Sequence, residues 1–189
     1  MVLTNQAALY ERMVCLRAHG ITRDPAILGE AAQEPWYYQQ IALGYNYRLT
    51  DLQAALGVSQ LERLAWFVAQ RRRLAARYDA ALADWPLHLP WQHPEAVSAW
   101  HLYVIRLDLA QITRSRRQVF AALRAAGIGV NIHYIPVHLQ PHYQRLGFAA
   151  GDFPEAERYY AEALSLPLFP TLSEEQQQTV LTALQRALA

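Results

Sequence analysis

The sequence predicts a mixed helical and stranded protein whose C-terminal part is α+β, and three observations predict it. Apolar residues recur at helical spacing through Gln6–Ala18 and again from Leu52 toward Tyr78. The run His101-Leu102-Tyr103-Val104-Ile105-Arg106-Leu107 is β-branched, aromatic and apolar enough for a strand. Capping-box signatures at Thr50, Ser115 and Ser173, each with Gln three residues on, mark helix starts on both sides of that strand.

Taken in order, Met1-Val2-Leu3 reads as the tail of a strand, an abrupt beginning for a domain. Gln6–Ala18 then sets Ala7, Leu9, Tyr10, Met13, Val14 and Leu16 on a broad apolar face. From His19 to Tyr47 the periodicity breaks, punctuated by Gly20, Pro25, Gly29, Pro35 and Gly44, and a loop of that length inside a compact domain is usually functional. Thr50-Asp51-Leu52-Gln53 opens one long helix toward Tyr78, in which Gly57 marks close packing or a bend. After Trp85-Pro86 a turn-rich stretch runs to Pro94 and the predicted strand follows. Ser115 opens a helix closed by Gly127, Val130–Tyr134 reads as a second strand, and Pro136 and Pro141 bracket a turn. Asp152-Phe153-Pro154-Glu155 and Ser173-Glu174-Glu175-Gln176 open two closing helices. A domain boundary is expected near residues 80–88, giving a first part of 1–84 that includes the long helix and a small α+β domain over 85–189.

The composition narrows the partners. Of 189 residues, 53% are hydrophobic and 17% charged, the ordinary globular range. Net charge is +1, with every one of the 17 basic Lys/Arg residues an arginine, so no bulk field draws nucleic acid or an anionic membrane. Cys15, alone and in an apolar helical stretch, excludes an internal disulfide, suits a reducing cytoplasm and reads as a small core hydrophobe. No apolar run approaches a membrane span, and no signal peptide is evident. A cytoplasmic protein acting on a small molecule or a protein is expected.

Two clusters suit a ligand. In Gly44-Tyr45-Asn46-Tyr47-Arg48-Leu49-Thr50-Asp51 a glycine-led loop delivers Asn46 and Arg48 just before a helix N-terminus, where backbone N–H groups and the helix dipole can hold a phosphate. A loop that only caps its helix is the competing reading. In Gly129-Val130-Asn131-Ile132-His133-Tyr134-Ile135-Pro136-Val137-His138, strand alternation sets Asn131 and His133 on one face and Ile132 and Tyr134 on the other. His133 is then either a ligand-binding group or a satisfied core histidine. The prolines around His133, His138 and His142, and the lack of a neighbouring Asp, Glu or Cys, argue against zinc, and no metal is expected. Arg71-Arg72-Arg73 lies on a predicted helix, where successive positions diverge, and reads as a solvated face or ion pairs. No G-x-S-x-G elbow, P-loop or dinucleotide fingerprint is present.

These residues carry a resemblance. His19-Gly20-Ile21, the run from Gly44 to Gly57 and Gln60-Leu61 resemble the DegT/DnrJ/EryC1/StrS sugar aminotransferases. Trp100-His101-Leu102-Tyr103, Gly129 to His138 and Glu157 to Pro170 are most similar to the branch that aminates a UDP-4-keto-6-deoxy-N-acetylhexosamine on the pseudaminic acid route, as UDP-4-amino-4,6-dideoxy-N-acetyl-β-L-altrosamine transaminase does. The resemblance runs the whole chain in order, with a longer stretch between Asp24 and Leu43. It implies an α/β fold of the aspartate-aminotransferase type (type I pyridoxal-phosphate-dependent transferase), of which this chain is the C-terminal portion, assembled as a homodimer when full length.

The resemblance further implies a pyridoxal 5'-phosphate cofactor, a UDP-sugar substrate and an amino-acid donor, glutamate, whose amino group passes through the cofactor to C4 of the keto sugar. Asn46 would reach the cofactor phosphate or substrate of a neighbouring subunit, with Arg48 beside it, and Asn131, Ile132, His133 and Tyr134 would contact the nucleotide sugar. The family's lysine, which holds the cofactor as a Schiff base, lies upstream of the segment matched by Met1. No lysine occurs anywhere in the chain, and an arginine guanidinium, always protonated, cannot replace a primary amine there. The stretch that stacks on the pyridine ring and the acid that pairs with its nitrogen are likewise outside it. Three expectations follow: one piece of a truncated or split aminotransferase, inactive alone; a non-catalytic sugar-nucleotide-binding or regulatory partner; or an inert fragment with apolar surface exposed.

Overall fold

A computed structural model describes residues 2–29 and 36–189. Met1 and Pro35, read above in a strand tail and a loop, lie outside the described residues. Contacts divide the chain into Met1–Glu62 and Arg63–Ala189. The division falls before the long helix rather than after it, because that helix drives Leu74, Ala75, Tyr78 and Leu82 into the core of the second unit.

The first unit comprises α1 (Ala7–Leu16), β1 (Ile21–Thr22), α2 (Pro25–Leu28), β2 (Gln39–Gln40) and α3 (Asp51–Leu61). Strands β1 and β2 pair antiparallel, Ile21 opposite Gln40, inside the stretch the sequence left without structure. Asp24 caps α2 by accepting the Ala26 N–H at 2.9 Å, with Pro25 in the first turn. Val2 and Leu3 form no strand and stand in solvent. Neither α1 nor α3 buries a residue, and Cys15 is half-buried rather than a core side chain.

In the second unit, α4 (Leu64–Leu82) leads into β3 (Leu87–His88), β4 (Tyr103–Leu107) and α5 (Arg116–Ala125). A 3-10 turn at Val137–Leu139, α6 (Pro141–Gln144), α7 (Pro154–Glu162), β5 (Ala163–Leu166) and α8 (Glu174–Leu188) complete it. The antiparallel sheet has the order β3-β4-β5, with Leu87 opposite Leu107 and Val104 opposite Ser165. Alternate residues of β4, Tyr103, Ile105 and Leu107, enter a core completed by Val119 and Leu123 of α5 and by Val180, Leu181 and Leu184 of α8. Tyr78 and Tyr103 are fully buried, their rings 4.9 Å apart. Each hydroxyl is satisfied, Tyr78 donating to the Pro167 carbonyl at 3.0 Å and Tyr103 to Asp79 at 2.6 Å. Burial pushes both phenols up, and the Asp79 hydrogen bond adds to the effect at Tyr103.

Three expectations are corrected here. The single helix from Thr50 to Tyr78 is two helices, broken at Glu62-Arg63, neither of which is a helix breaker. Gly57 lies inside α3, and a Cβ there would meet nothing within 4 Å, so it marks neither close packing nor the bend. Val130–Tyr134 is no strand: Asn131 alone bridges to Ser165, after which the Asn131 side chain takes the next backbone N–H and the chain leaves the sheet. The second strand of that region is instead β5, lying between the two closing helices.

Candidate functional site

The two loops singled out in the sequence lie in different units, and each has its own construction. In the first, the backbone crosses itself at two glycines. A Cβ on Gly44 would stand 2.1 Å from the Gly20 nitrogen, and one on Gly20, whose φ is +69°, would stand 1.9 Å from the Ala42 oxygen. Around this crossing His19 N–H donates to Tyr45 O at 2.9 Å, Tyr45 N–H to Leu16 O at 2.7 Å and Tyr47 N–H to Arg17 O at 2.9 Å. These bonds fasten Tyr45-Asn46-Tyr47 to the end of α1, and the two tyrosine rings stack 5.0 Å apart.

Asn46 and Arg48 are both exposed, and Arg48 Nε donates to Asn46 Oδ1 at 3.2 Å. With its oxygen engaged, the Asn46 carboxamide offers its Nδ2–H donors, beside the remaining guanidinium donors of Arg48. Two residues on, the Thr50 capping box is complete: Gln53 N–H donates to Thr50 Oγ1 at 3.3 Å and Thr50 N–H to Gln53 Oε1 at 3.0 Å. The cap leaves the N–H groups of Asp51 and Leu52 without helical partners. The loop therefore both caps its helix and gathers donors, with Asp51 the acidic residue of the first turn.

In the second loop the four sequence-chosen residues divide. Asn131 is tied to β5 by Asn131 N–H to Ser165 O at 3.4 Å and Ser165 N–H to Asn131 O at 2.8 Å. Asn131 and His133 do share a side, with Asn131 Nδ2 3.3 Å from His133 Nε2, as alternation predicted without the strand. His133 Nδ1 lies 2.7 Å from Ser165 Oγ, so both ring nitrogens are engaged within the chain. Ile132 packs against the core, whereas Tyr134 stands in solvent with its ring edge-on to His133. Of these four residues, Asn131 and Tyr134 are the exposed ones.

The other histidines are separated. His138 is buried and lies 2.8 Å from Glu157 Oε1, which also accepts the Gly151 N–H at 2.7 Å. These two hydrogen bonds, the imidazole's first, hold the Glu157 carboxyl below the ordinary glutamate value. Sequence distance hid this partner, 19 residues away. His142 packs edge-on to Tyr143. Among the described residues no three His, Cys, Asp or Glu side chains cluster as a metal site.

The arginine run also divides. Arg71 Nη1 donates to the carbonyls of Trp100, His101 and Leu168 at 3.1, 3.1 and 2.9 Å. That one side chain fixes the entry to β4, where Trp100 adopts a φ of +49°. Arg73 pairs with Glu174 at 2.7 Å and Arg72 is exposed. Sequence reasoning missed Arg71 and Ser165, because both act across long chain separations.

This fold is that of the C-terminal portion of a pyridoxal-phosphate-dependent aminotransferase of the aspartate-aminotransferase type. The chain belongs to the DegT/DnrJ/EryC1/StrS aminotransferase family, whose model matches residues 1–185. It is 37% identical over 186 residues to the spore coat polysaccharide biosynthesis protein SpsC of Bacillus subtilis (strain 168), covering 97% of this chain and 48% of that protein. Helicobacter pylori PseC, an aminotransferase involved in the biosynthesis of pseudoaminic acid, superposes with a TM-score of 0.84 at 28% identity, over 98% of this chain and 47% of that one. The PLP form of Spr1654 from Streptococcus pneumoniae gives a TM-score of 0.81 at 28% identity, over 98% of this chain and 46% of that one. The chain thus spans about half the length of the relatives it matches.

The family's cofactor carries a phosphate and an aldehyde, and only the first finds matching groups here. Asn46, Arg48 and the free amides of α3 fit a phosphate. No lysine side chain is present to meet the aldehyde. Among the described residues, no helix is long and apolar enough to cross a membrane.

Proposed function

We propose that this chain is the C-terminal portion of an aminotransferase that moves an amino group from glutamate to C4 of a UDP-4-keto-6-deoxy-N-acetylhexosamine, in sugar-nucleotide biosynthesis of the pseudaminic acid type. The observation that carries the reading is the fit over 98% of the chain to PseC, named for pseudoaminic acid biosynthesis. In this reading pyridoxal 5'-phosphate supplies the electron sink, and this chain supplies the surroundings. Asn46 and Arg48 donate to the phosphate or substrate of a neighbouring subunit in a homodimer. Asn131 and Tyr134 face the nucleotide sugar, while Ile132 and His133 hold their segment in place. The amine that anchors the cofactor comes from a lysine-bearing N-terminal half.

The test combines purified chain, pyridoxal phosphate, glutamate and the UDP-4-keto sugar, with and without a lysine-bearing N-terminal half from a relative such as SpsC. Turnover is expected only with both halves. Turnover by this chain alone would overturn the assignment of the missing chemistry to a lysine. A second reading, a sugar-nucleotide-binding partner of a complete aminotransferase, rests on the two donor-bearing loops that this chain builds from its own residues. Co-purification with such an enzyme, and stimulation of it by this chain, would select that reading.

A further inference from the structure

Strand β5 is buried at every position, and three of its four residues are apolar: Ala163, Leu164 and Leu166. The fourth is Ser165, 4% exposed. A hydroxyl at such a place costs free energy unless it is hydrogen-bonded, and the partner of Ser165 Oγ is His133 Nδ1 at 2.7 Å. Leu164 and Leu166 point into the core, so alternation turns Ser165 to the opposite face, toward the loop. The serine is thus accounted for by the histidine.

The polarity of this chain of bonds follows from its far end. Asn131 Oδ1 accepts the Ile132 N–H at 2.8 Å, which fixes which carboxamide atom is the oxygen. The atom 3.3 Å from His133 Nε2 is then the nitrogen, a donor only. Nε2 must accept, so a neutral imidazole carries its proton on Nδ1 and donates to Ser165 Oγ. One Nδ2–H of Asn131 is used by His133. The other has no partner among the described residues, on an exposed side chain.

We propose that Ser165 is a positioning residue for the ligand segment. Through His133 it locks the Asn131 carboxamide so that its second Nδ2–H is presented to an acceptor oxygen, carbonyl or phosphate, of a sugar nucleotide. This rests on the sugar-nucleotide reading for its ligand and on geometry alone for the lock. A site so arranged selects against a ligand that offers a donor at that point, since the carboxamide cannot turn without breaking both the Ile132 and His133 bonds.

Two measurements on the full chain separate the parts. Long-range proton–nitrogen NMR reads the His133 ring, and UDP-N-acetylglucosamine is the calorimetric probe. The wild type is expected to show a protonated Nδ1 and an unprotonated Nε2. Ser165→Ala, close to isosteric in the strand, is expected to shift the ring toward tautomer exchange and to weaken the probe about five- to ten-fold. Ser165→Thr restores both. Asn131→Asp places a carboxylate against Nε2 and is expected to keep that nitrogen protonated. A wild-type ring protonated on Nε2, or a Ser165→Ala variant unchanged in both signals, overturns the proposal and leaves the aminotransferase reading intact. If the wild type fails to bind the probe, the sugar-nucleotide reading falls, and the NMR signals of Ser165→Ala still decide the lock.

Discussion

Gly20 and Gly44 cross so closely that no side chain fits at either position, which fastens the Asn46 loop to α1. Gly44→Ala must part the two backbones, and Gly20→Ala adds a positive φ to its overlap, so each is expected to cost about 2 kcal/mol or more in the first unit. Hydrogen exchange at the His19, Tyr45 and Tyr47 amides reads the loss. Gly57→Ala, in open helix, should carry the opposite sign and stabilise α3 by about 0.5–1 kcal/mol, seen as slower exchange in that helix alone. Glu157 sets a pH dependence of known sign. Its carboxyl is held low by His138 and Gly151, so its contribution is fully present above the unfolded value near about pH 4.3 and is lost as pH falls through the lower folded value. Glu157→Gln keeps an acceptor for Gly151 but loses the charge. Urea midpoints compared at neutral pH and below about pH 4 should fall more steeply for the wild type than for this variant.

At the scale of elements, the helix starts were legible because a cap is local. Thr50, Ser115 and Ser173 each close a capping box with the glutamine three residues on. Ser173→Ala should therefore cost about 1 kcal/mol, read from denaturant unfolding of the second unit. Leu184→Ala, fully buried on the same helix, should cost about 2–5 kcal/mol. Less local features were hidden. Strand β5 presents four buried residues and so shows no polar–apolar alternation, and β3 is only two residues long. The break at Glu62-Arg63 has no glycine or proline to mark it. The site divides along the same line. Asn131 and His133 on one side followed from their spacing, whereas Ser165, 32 residues from His133, could not.

For the whole molecule, the two units differ in what they bury. The second has a closed core across α4, α5, α8 and its sheet, while the first buries few apolar side chains. On α3, Leu52 and Leu56 are 86% and 63% exposed and stand four residues apart, hence on one helix face, with Val58 and Leu61 also exposed. Val58 and Leu61 turn to the far side of the helix, so the apolar patch is the Leu52/Leu56 pair, and exposed apolar side chains grouped in this way favour association. Sedimentation velocity is expected to show concentration-dependent assembly of the wild type and a shift toward monomer for Leu52→Gln/Leu56→Gln. Because these side chains lie outside the core of the second unit, its unfolding midpoint should change by less than about 0.5 kcal/mol in the double variant. Identical sedimentation of the two proteins would mean that α3 does not drive assembly. A fall in the second unit's stability would mean that α3 supports it directly.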